Sequence, residues 1–363
     1  MSIRIVFMGT GNLALPSFLA LRDSSHQLVG LVTQPDRTGR GHHQHVNPLK
    51  VAAVERGLAV LQPDSIKTPE ALADLQALNA DLFVVAAYGQ MLSPAVLAMP
   101  PLGTINIHAS LLPKYRGATP IHAAILNGDA ETGVTIIEIE PKMDAGPMLG
   151  RVVTPIEPNE TTGQLEQRLA DLAVSLTLRV IDQIEAGTVS RELQDPAQVT
   201  RVRKLSKPDG RIDWSQPAEQ IARHVRAMQP WPGPFTELHQ PDKPPLRLQV
   251  LSVEVVSNDS RESTAPGGRG RAGSTGQFSP QTSRPEERPV EPALRDLSVE
   301  VVSDESRQRT RPGTVAGITD KQLIVDCGSG EIAIVTLQPD GKRPMSTADF
   351  LRGHRVVIGD RLE

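Results

Sequence analysis

A mostly parallel α/β sheet with helices on both faces, followed by a smaller antiparallel β-barrel, is the architecture this chain predicts. Three observations point there. The N-terminal half alternates short apolar runs with helix-patterned segments, the order of βαβ units. Within it, Leu82-Phe83-Val84-Val85-Ala86-Ala87 has no polar interruption, as in strands covered on both faces. After Lys204 the composition shifts to short alternating strands with one helix, which a small barrel accommodates. A length of 363 residues favours two domains, expected at 1–205 and 206–363.

The first strand, Ile3 to Met8, ends in Gly9-Thr10-Gly11-Asn12 and leads into a helical Leu13 to Arg22. Gly9, Gly11 and Ala14 match a dinucleotide fingerprint, with Asp36 after the second strand (Leu28 to Gln34) as the ribose ligand. Any parallel sheet also needs a glycine turn before its first helix, and that is the simpler reading. The segment Pro35 to His45 is polar and glycine-bearing, an exposed loop. His42, His43 and His45 have no cysteine or carboxylate cluster beside them, so no metal is expected. Arg37 and Arg40 would suit a phosphate-bearing substrate.

Pro48 opens a helix that Gly57 ends, and a second helix covers Thr68 to Leu78. The buried strand at Asp81 to Ala87 then runs into Tyr88-Gly89-Gln90-Met91-Leu92, a turn whose backbone could read the edge of a flat heterocycle. The next strand, Thr104 to His108, alternates: Ile105 and Ile107 take one face, Asn106 and His108 the other. Its apolar side faces a core, and its polar side ends in a loop at the edge where open α/β sheets bind ligands.

Thr119, Pro120 and Gly128 bracket a helix. A strand over Gly133 to Glu140 breaks at Pro141, and Asp144 lies in the loop that follows. By default a turn aspartate caps its own loop, but a carboxylate at a second strand end gives a site its third polar group. Thr161 and Gln164 form a capping box for a long helix to Gly187, with Leu165, Leu169, Leu172, Leu176, Val180 and Ile184 on one face.

In the second half, Ser206 to Gly210 reads as a linker and Pro217 to Met228 as a helix. Leu323 to Cys327 and Glu331 to Leu337 form a hairpin around Gly328-Ser329-Gly330, and Val356-Val357-Ile358 closes the set of strands. Leu251-Ser252-Val253-Glu254-Val255-Val256-Ser257 recurs at Leu297 to Ser303, 46 residues on. The Gly, Ser, Pro, Arg and Glu between the copies predict a disordered insert at about 258–311, so one copy alone can hold the barrel position.

Charge and composition narrow the function. The net charge is −4, and residues 206–363 carry 21 basic against 22 acidic side chains, so any polyanion contact must be a local patch. A single cysteine, Cys327, excludes an intrachain disulfide and suits a reducing cytosol. No run approaches eighteen apolar residues, and Met1 to Met8 is too short for a secretory leader, so a cytoplasmic protein without membrane contact is expected.

Asn106-Ile107-His108, Ser110-Leu111-Leu112-Pro113, Arg116-Gly117, Gly128-Asp129, Glu131 to Thr135 and Asp144 to Leu149 together resemble the folate-dependent formyltransferases. The Val32 to Arg37 loop, Leu205-Ser206-Lys207, Ile212-Asp213-Trp214 and Trp231-Pro232-Gly233 resemble the branch of that family that acts on aminoacyl-tRNA. The resemblance covers nearly the whole chain outside 258–311. It implies a Rossmann-like catalytic domain and an OB-like C-terminal domain that binds tRNA. The reaction it implies moves a formyl group from 10-formyltetrahydrofolate to the amino group of methionine on initiator tRNA. Asn106, His108 and Asp144 would be catalytic, and Ser110, Leu111, Leu112 and Pro113 with Tyr88 to Leu92 would enclose the folate. Arg37, Arg40, Arg203, Lys204 and Lys207 are the candidates for tRNA phosphates, and a monomer is expected. Three departures stand out: Gly11 and Asn12 replace a proline and an acidic residue, His42 and His43 replace lysines, and the insert at about 258–311 is extra. Other folate-dependent N-formyltransferases, acting on amino-sugar nucleotides or glycinamide ribonucleotide, are the alternative, and a nicotinamide-dependent dehydrogenase is a more distant one.

Overall fold

The computed structural model describes residues 2–36, 47–256 and 311–363. Two sheets organise it. The first has seven strands: β1 (Arg4–Gly9), β2 (Gln27–Val32), β3 (Ala59–Leu61), β4 (Leu82–Ala86), β5 (Thr104–His108), β7 (Glu131–Glu138) and β8 (Met148–Pro155). A two-residue β6 (Arg116–Gly117) lies outside it and pairs in parallel with β9 (Arg201–Val202). The order is β3-β2-β1-β4-β5-β7-β8, parallel through β5 and antiparallel from β5 to β7 and from β7 to β8.

The sheet's alternation builds two core layers. Ile5, Phe7, Leu82, Val84, Ile105 and Ile107 pack with α1 (Leu15–Arg22) and α6 (Thr162–Glu185). Val6, Met8, Phe83 and Val85 pack on the opposite face with Leu75 of α3 (Pro69–Ala77) and Val96 of α4 (Pro94–Leu97). Helix α2 (Pro48–Val54) contributes Leu49, Ala52 and Ala53 to the first layer. The reciprocal capping box of Thr161 and Gln164 starts α6 as its sequence predicts. Gly9 is required by packing: a Cβ there would lie 2.9 Å from the Ala86 carbonyl on β4. Asp36, the ribose ligand of the dinucleotide reading, instead pairs with Lys50 and accepts from Gln62.

The second sheet runs β12-β13-β14-β11-β10-β16, with β15 alongside β14. Its strands are β10 (Phe235–His239), β11 (Leu246–Val255), β12 (Val315–Ile318), β13 (Leu323–Asp326), β14 (Glu331–Pro339), β15 (Met345–Ser346) and β16 (Arg361–Leu362). A bridge between Thr314 and Arg361 joins its two ends into a nearly closed barrel. The core of Ile212, Trp214, Leu248, Val250, Ile332, Ile334, Leu337 and Phe350 fills it, flanked by α7 (Ala218–Ala227) and α8 (Thr347–Gly353). Helix α7 also ties the barrel to the first half. Arg223 Nε donates to the Leu126 carbonyl of α5 (Pro120–Asn127), and Thr162 Oγ1 donates to the Ala227 carbonyl.

One expectation changes, and two points the sequence left open are filled in. Val356-Val357-Ile358 is no strand: Val357 N–H donates to Asp360 Oδ2 in a turn that leaves Val357 and Ile358 43% and 64% exposed. Arg361–Leu362 takes that place, paired with β10. Strands β3 and β8, which no sequence pattern suggested, extend the sheet at either end. Finally, the first copy of the heptapeptide repeat forms the second half of β11 against β14, while the second copy lies outside the described residues.

Candidate active site

Strands β1, β4 and β5 are parallel, so Gly9, Ala86 and His108 end on one edge of the sheet. The turn after β4 bends through two left-handed positions, Ala87 (φ 48°) and Gly89 (φ 83°). Gln34 Nε2 donates to the Tyr88 carbonyl, and Gln90 is consumed in holding Ile66, Pro63 and Asp64. The Tyr88 ring is buried in the core, where burial pushes its hydroxyl up to about 12. The turn therefore offers its backbone and Met91, which is half exposed, rather than the Tyr88 ring.

After β5 the chain loops through Ser110 to Lys114. Thr135 on β7 fastens this loop by donating to the Ser110 carbonyl and accepting from Leu112 N–H. The Leu112 side chain packs with Ile137 and Met148 in a small buried cluster, so it too faces inward. Ser110 Oγ donates to the Lys114 carbonyl.

Asn106 and His108 share the face of β5 opposite Ile105 and Ile107, as the alternation requires. Asn106 is half-buried, and its amide makes no hydrogen bond among the described residues. His108 is 6% exposed, and its Nε2 lies 2.9 Å from the Tyr115 carbonyl. A carbonyl only accepts, so Nε2 is assigned the proton and Nδ1 faces the other way. There it meets Asp144, whose Oδ2 is 3.8 Å from Nδ1. Asp144 reaches this point from the loop between β7 and β8, and its backbone is left-handed (φ 48°). Gly117 N–H donates to the same Oδ2 at 2.8 Å. A Cβ on Gly146 would lie 1.9 Å from the Glu138 carbonyl, so the loop closes only with glycine there.

Behind Asp144 sit two residues that the sequence did not single out as functional. Buried Gln194 donates through Nε2 to the carbonyls of Asp144 and Gly146, each at 2.8 Å. Its Oε1 accepts from Nε and Nη2 of buried Arg116. Burial holds the Arg116 guanidinium below its ordinary value and Arg201 adds to that, while Asp144 pulls the other way. Gln194 belongs to an irregular stretch whose sequence has no periodicity to mark it, and only the fold brings it here.

The tRNA candidates divide. Arg37 and Arg40 lie outside the described residues. Arg203 is committed to Asp209, whose carboxylate is held well below the usual range by Arg203 first and then by Ser206. Lys204 and Lys207 are exposed and form no ion pair among the described residues.

Known proteins bear on this arrangement. Residues 3–181 match the family described as formyl transferase, and residues 204–281 and 293–355 match its C-terminal domain. The methionyl-tRNA formyltransferase of Roseiflexus castenholzii is 42% identical over all of this chain and 99% of its own length. That of Akkermansia muciniphila is 38% identical over 97% of each. The structure of HypX from Aquifex aeolicus in complex with tetrahydrofolic acid superposes with a TM-score of 0.56 at 15% identity, over 97% of this chain and 47% of that one. This protein is a formyltransferase, a member of the family whose two characteristic regions it carries in order.

Proposed function

We propose that the chain transfers the formyl group of 10-formyltetrahydrofolate to the amino group of methionyl initiator tRNA, with Asn106, His108 and Asp144 carrying the chemistry. The observation that carries this is the approach of Asp144, from the β7–β8 loop, to within 3.8 Å of the imidazole at the end of β5. Full-length similarity to methionyl-tRNA formyltransferases supports the acceptor, and a tetrahydrofolate-bound structure of the same fold supports the donor.

The amine attacks the formyl carbon, giving a tetrahedral centre with an oxyanion and an ammonium. The carbon–nitrogen bond to the folate then breaks, and the proton lost by the ammonium ends on the departing nitrogen. The site must stabilise the first charge and route the proton. Asn106 supplies an uncommitted amide N–H for the oxyanion. His108 has its Nε2 occupied by Tyr115, so proton exchange runs through Nδ1, on the Asp144 side. Asp144, acceptor-only when ionised, steadies the imidazolium that forms there.

The edge formed by the Tyr88 to Leu92 backbone and the Ser110 to Pro113 loop is the proposed folate wall. Residues 1–205 act as the catalytic unit and 206–363 as the tRNA-binding unit, with Lys204 and Lys207 at the junction contacting phosphates. Arg37, Arg40 and Arg203 complete the proposed set. No helix among the described residues is long and apolar enough to cross a membrane. A cytoplasmic location, which the single cysteine suits, and a monomeric state are part of the same proposal. The test is to incubate the protein with labelled 10-formyltetrahydrofolate and charged initiator or elongator tRNA. Label on the methionine of initiator tRNA is expected; label only on an amino-sugar nucleotide or glycinamide ribonucleotide would overturn the acceptor.

A further inference from the structure

Resting on that functional reading, we propose that Arg116 and Gln194 are positioning residues that hold the Asp144 carboxylate opposite His108 Nδ1. Neither touches the reacting atoms. Arg116 belongs to the short segment Tyr115-Arg116-Gly117, whose three residues serve the two halves of the pair, and Gln194 bridges Arg116 to the Asp144 loop. Tyr115 fixes the imidazole through its carbonyl, Gly117 fixes the carboxylate through its N–H, and Arg116 sends its side chain behind the loop to Gln194.

The Gln194 amide is fully used. Its oxygen takes two guanidinium N–H groups and its nitrogen gives both hydrogens to the carbonyls of Asp144 and Gly146. Because arginine has no acceptor, the amide cannot flip, and the direction of every bond is set. Left-handed backbone at a non-glycine residue persists only when its surroundings over-determine it, and Asp144 has this conformation. Gln194 supplies that constraint from behind while Gly117 supplies it from the front. The Arg116 cation remains charged beside Asp144 and adds attraction that a neutral bracket would lack. A bridge between Met148 and Glu192 anchors the backbone two residues before Gln194, so the bracket stands on the sheet rather than on a free loop.

The experiment measures formyl transfer to methionyl initiator tRNA by the wild type, Gln194→Glu and Arg116→Lys, with melting temperatures alongside. Gln194→Glu keeps an acceptor for Arg116 but turns both donors to the loop carbonyls into acceptors, so the loop is released while the cation stays paired. Its kcat is expected to fall about 10²-fold, the cost of a misplacement near 1 Å, with KM for both substrates within about twofold. Arg116→Lys keeps the charge without the fork and is expected to lose roughly tenfold in kcat. A Gln194→Glu variant with wild-type kcat overturns the proposal. So does a loss of turnover that only tracks the loss of folded protein, with kcat per folded molecule unchanged. If Gln194→Glu does not fold, Arg116→Lys decides alone by the same two readouts. A wild type that labels no methionyl-tRNA overturns the functional reading itself, an outcome separate from wild-type transfer that survives both substitutions.

Discussion

Two arginines illustrate what burial does to the same chemistry. Arg116 is buried behind the β5 edge and spends its fork on a neutral amide, which passes the constraint on to Asp144. Arg203, exposed in the segment between the two sheets, binds Asp209 as a charge pair. The exposed pair is the stronger interaction by formal charge, but water and salt screen it and side-chain entropy opposes it. The buried one leaves an unsatisfied group behind if either partner goes, so its geometry is enforced. The difference teaches that the rigidity of this site comes from buried groups with no alternative partner rather than from formal charge pairing alone.

The sharpest way to break that contrast is at the pair itself. Asp144→Ala is expected to abolish nearly all formyl transfer while melting close to the wild type. His108→Ala and Asn106→Ala should each lower kcat by about 10²–10³-fold, read in the same assay. Undiminished turnover in Asp144→Ala would detach the carboxylate from the chemistry.

A second effect should appear at Gly117, which joins the site to the exposed segment. Its φ is 119°, and a Cβ there would lie 2.1 Å from the Val202 carbonyl on β9. Gly117→Ala is expected to cost about 2 kcal/mol or more. Melting should fall by roughly 5 °C, and turnover should fall with it because the Asp144 contact shifts.

Acid tests the buried side of the comparison in another place. His122 and His224 donate to the Trp231 and Gly210 carbonyls, and burial depresses both imidazoles below their ordinary value of 6.5. The folded protein favours their neutral forms, so the stability they contribute is present above pH 6.5 and is lost as pH falls through the depressed values. Melting temperature should therefore decline from pH 7 to pH 5, and His122→Asn with His224→Gln should flatten that slope.

The smallest effects belong to the surface. If Lys204 and Lys207 meet phosphates, replacing either with alanine should reduce the slope of log affinity against log salt by about 0.7–0.9. Arg203→Ala should change it less, because Asp209 already neutralises that guanidinium, and melting should stay within about 2 °C.

Legibility followed periodicity. The alternation of Thr104 to His108 placed two reactive side chains on one face, and the Thr161–Gln164 box started its helix where expected. Asp144 could be suspected because it sits at a strand end, but its approach to His108 depends on a left-handed backbone that no residue type announces. Thr119 shows how tertiary contacts override a local rule: its hydroxyl caps nothing and donates instead to the Arg203 carbonyl across the fold. Tyr88 shows the same for burial, since an aromatic residue at a site's edge can turn its ring into the core and leave only the backbone for a ligand. Val356 to Ile358 failed for the opposite reason, an apolar run bent into a turn beside Gly359 and Asp360.

The repeated heptapeptide has a consequence for how the barrel tolerates its own duplication. The inward side chains that anchor β11 are Leu248 and Val250, both fully buried and both upstream of the repeat, whose own residues in the strand are at most half-buried. In the second copy the equivalents are Leu294 and Asp296, and threading it in the same register would put a carboxylate where Val250 meets the core. The duplicate is thus marked as surplus by its preceding flank, although the two copies themselves are identical. Excising 251–296 or 258–303 yields one and the same shortened polypeptide, with Leu248 and Val250 still leading the strand. Either excision therefore leaves the residues that anchor β11 in the barrel unchanged.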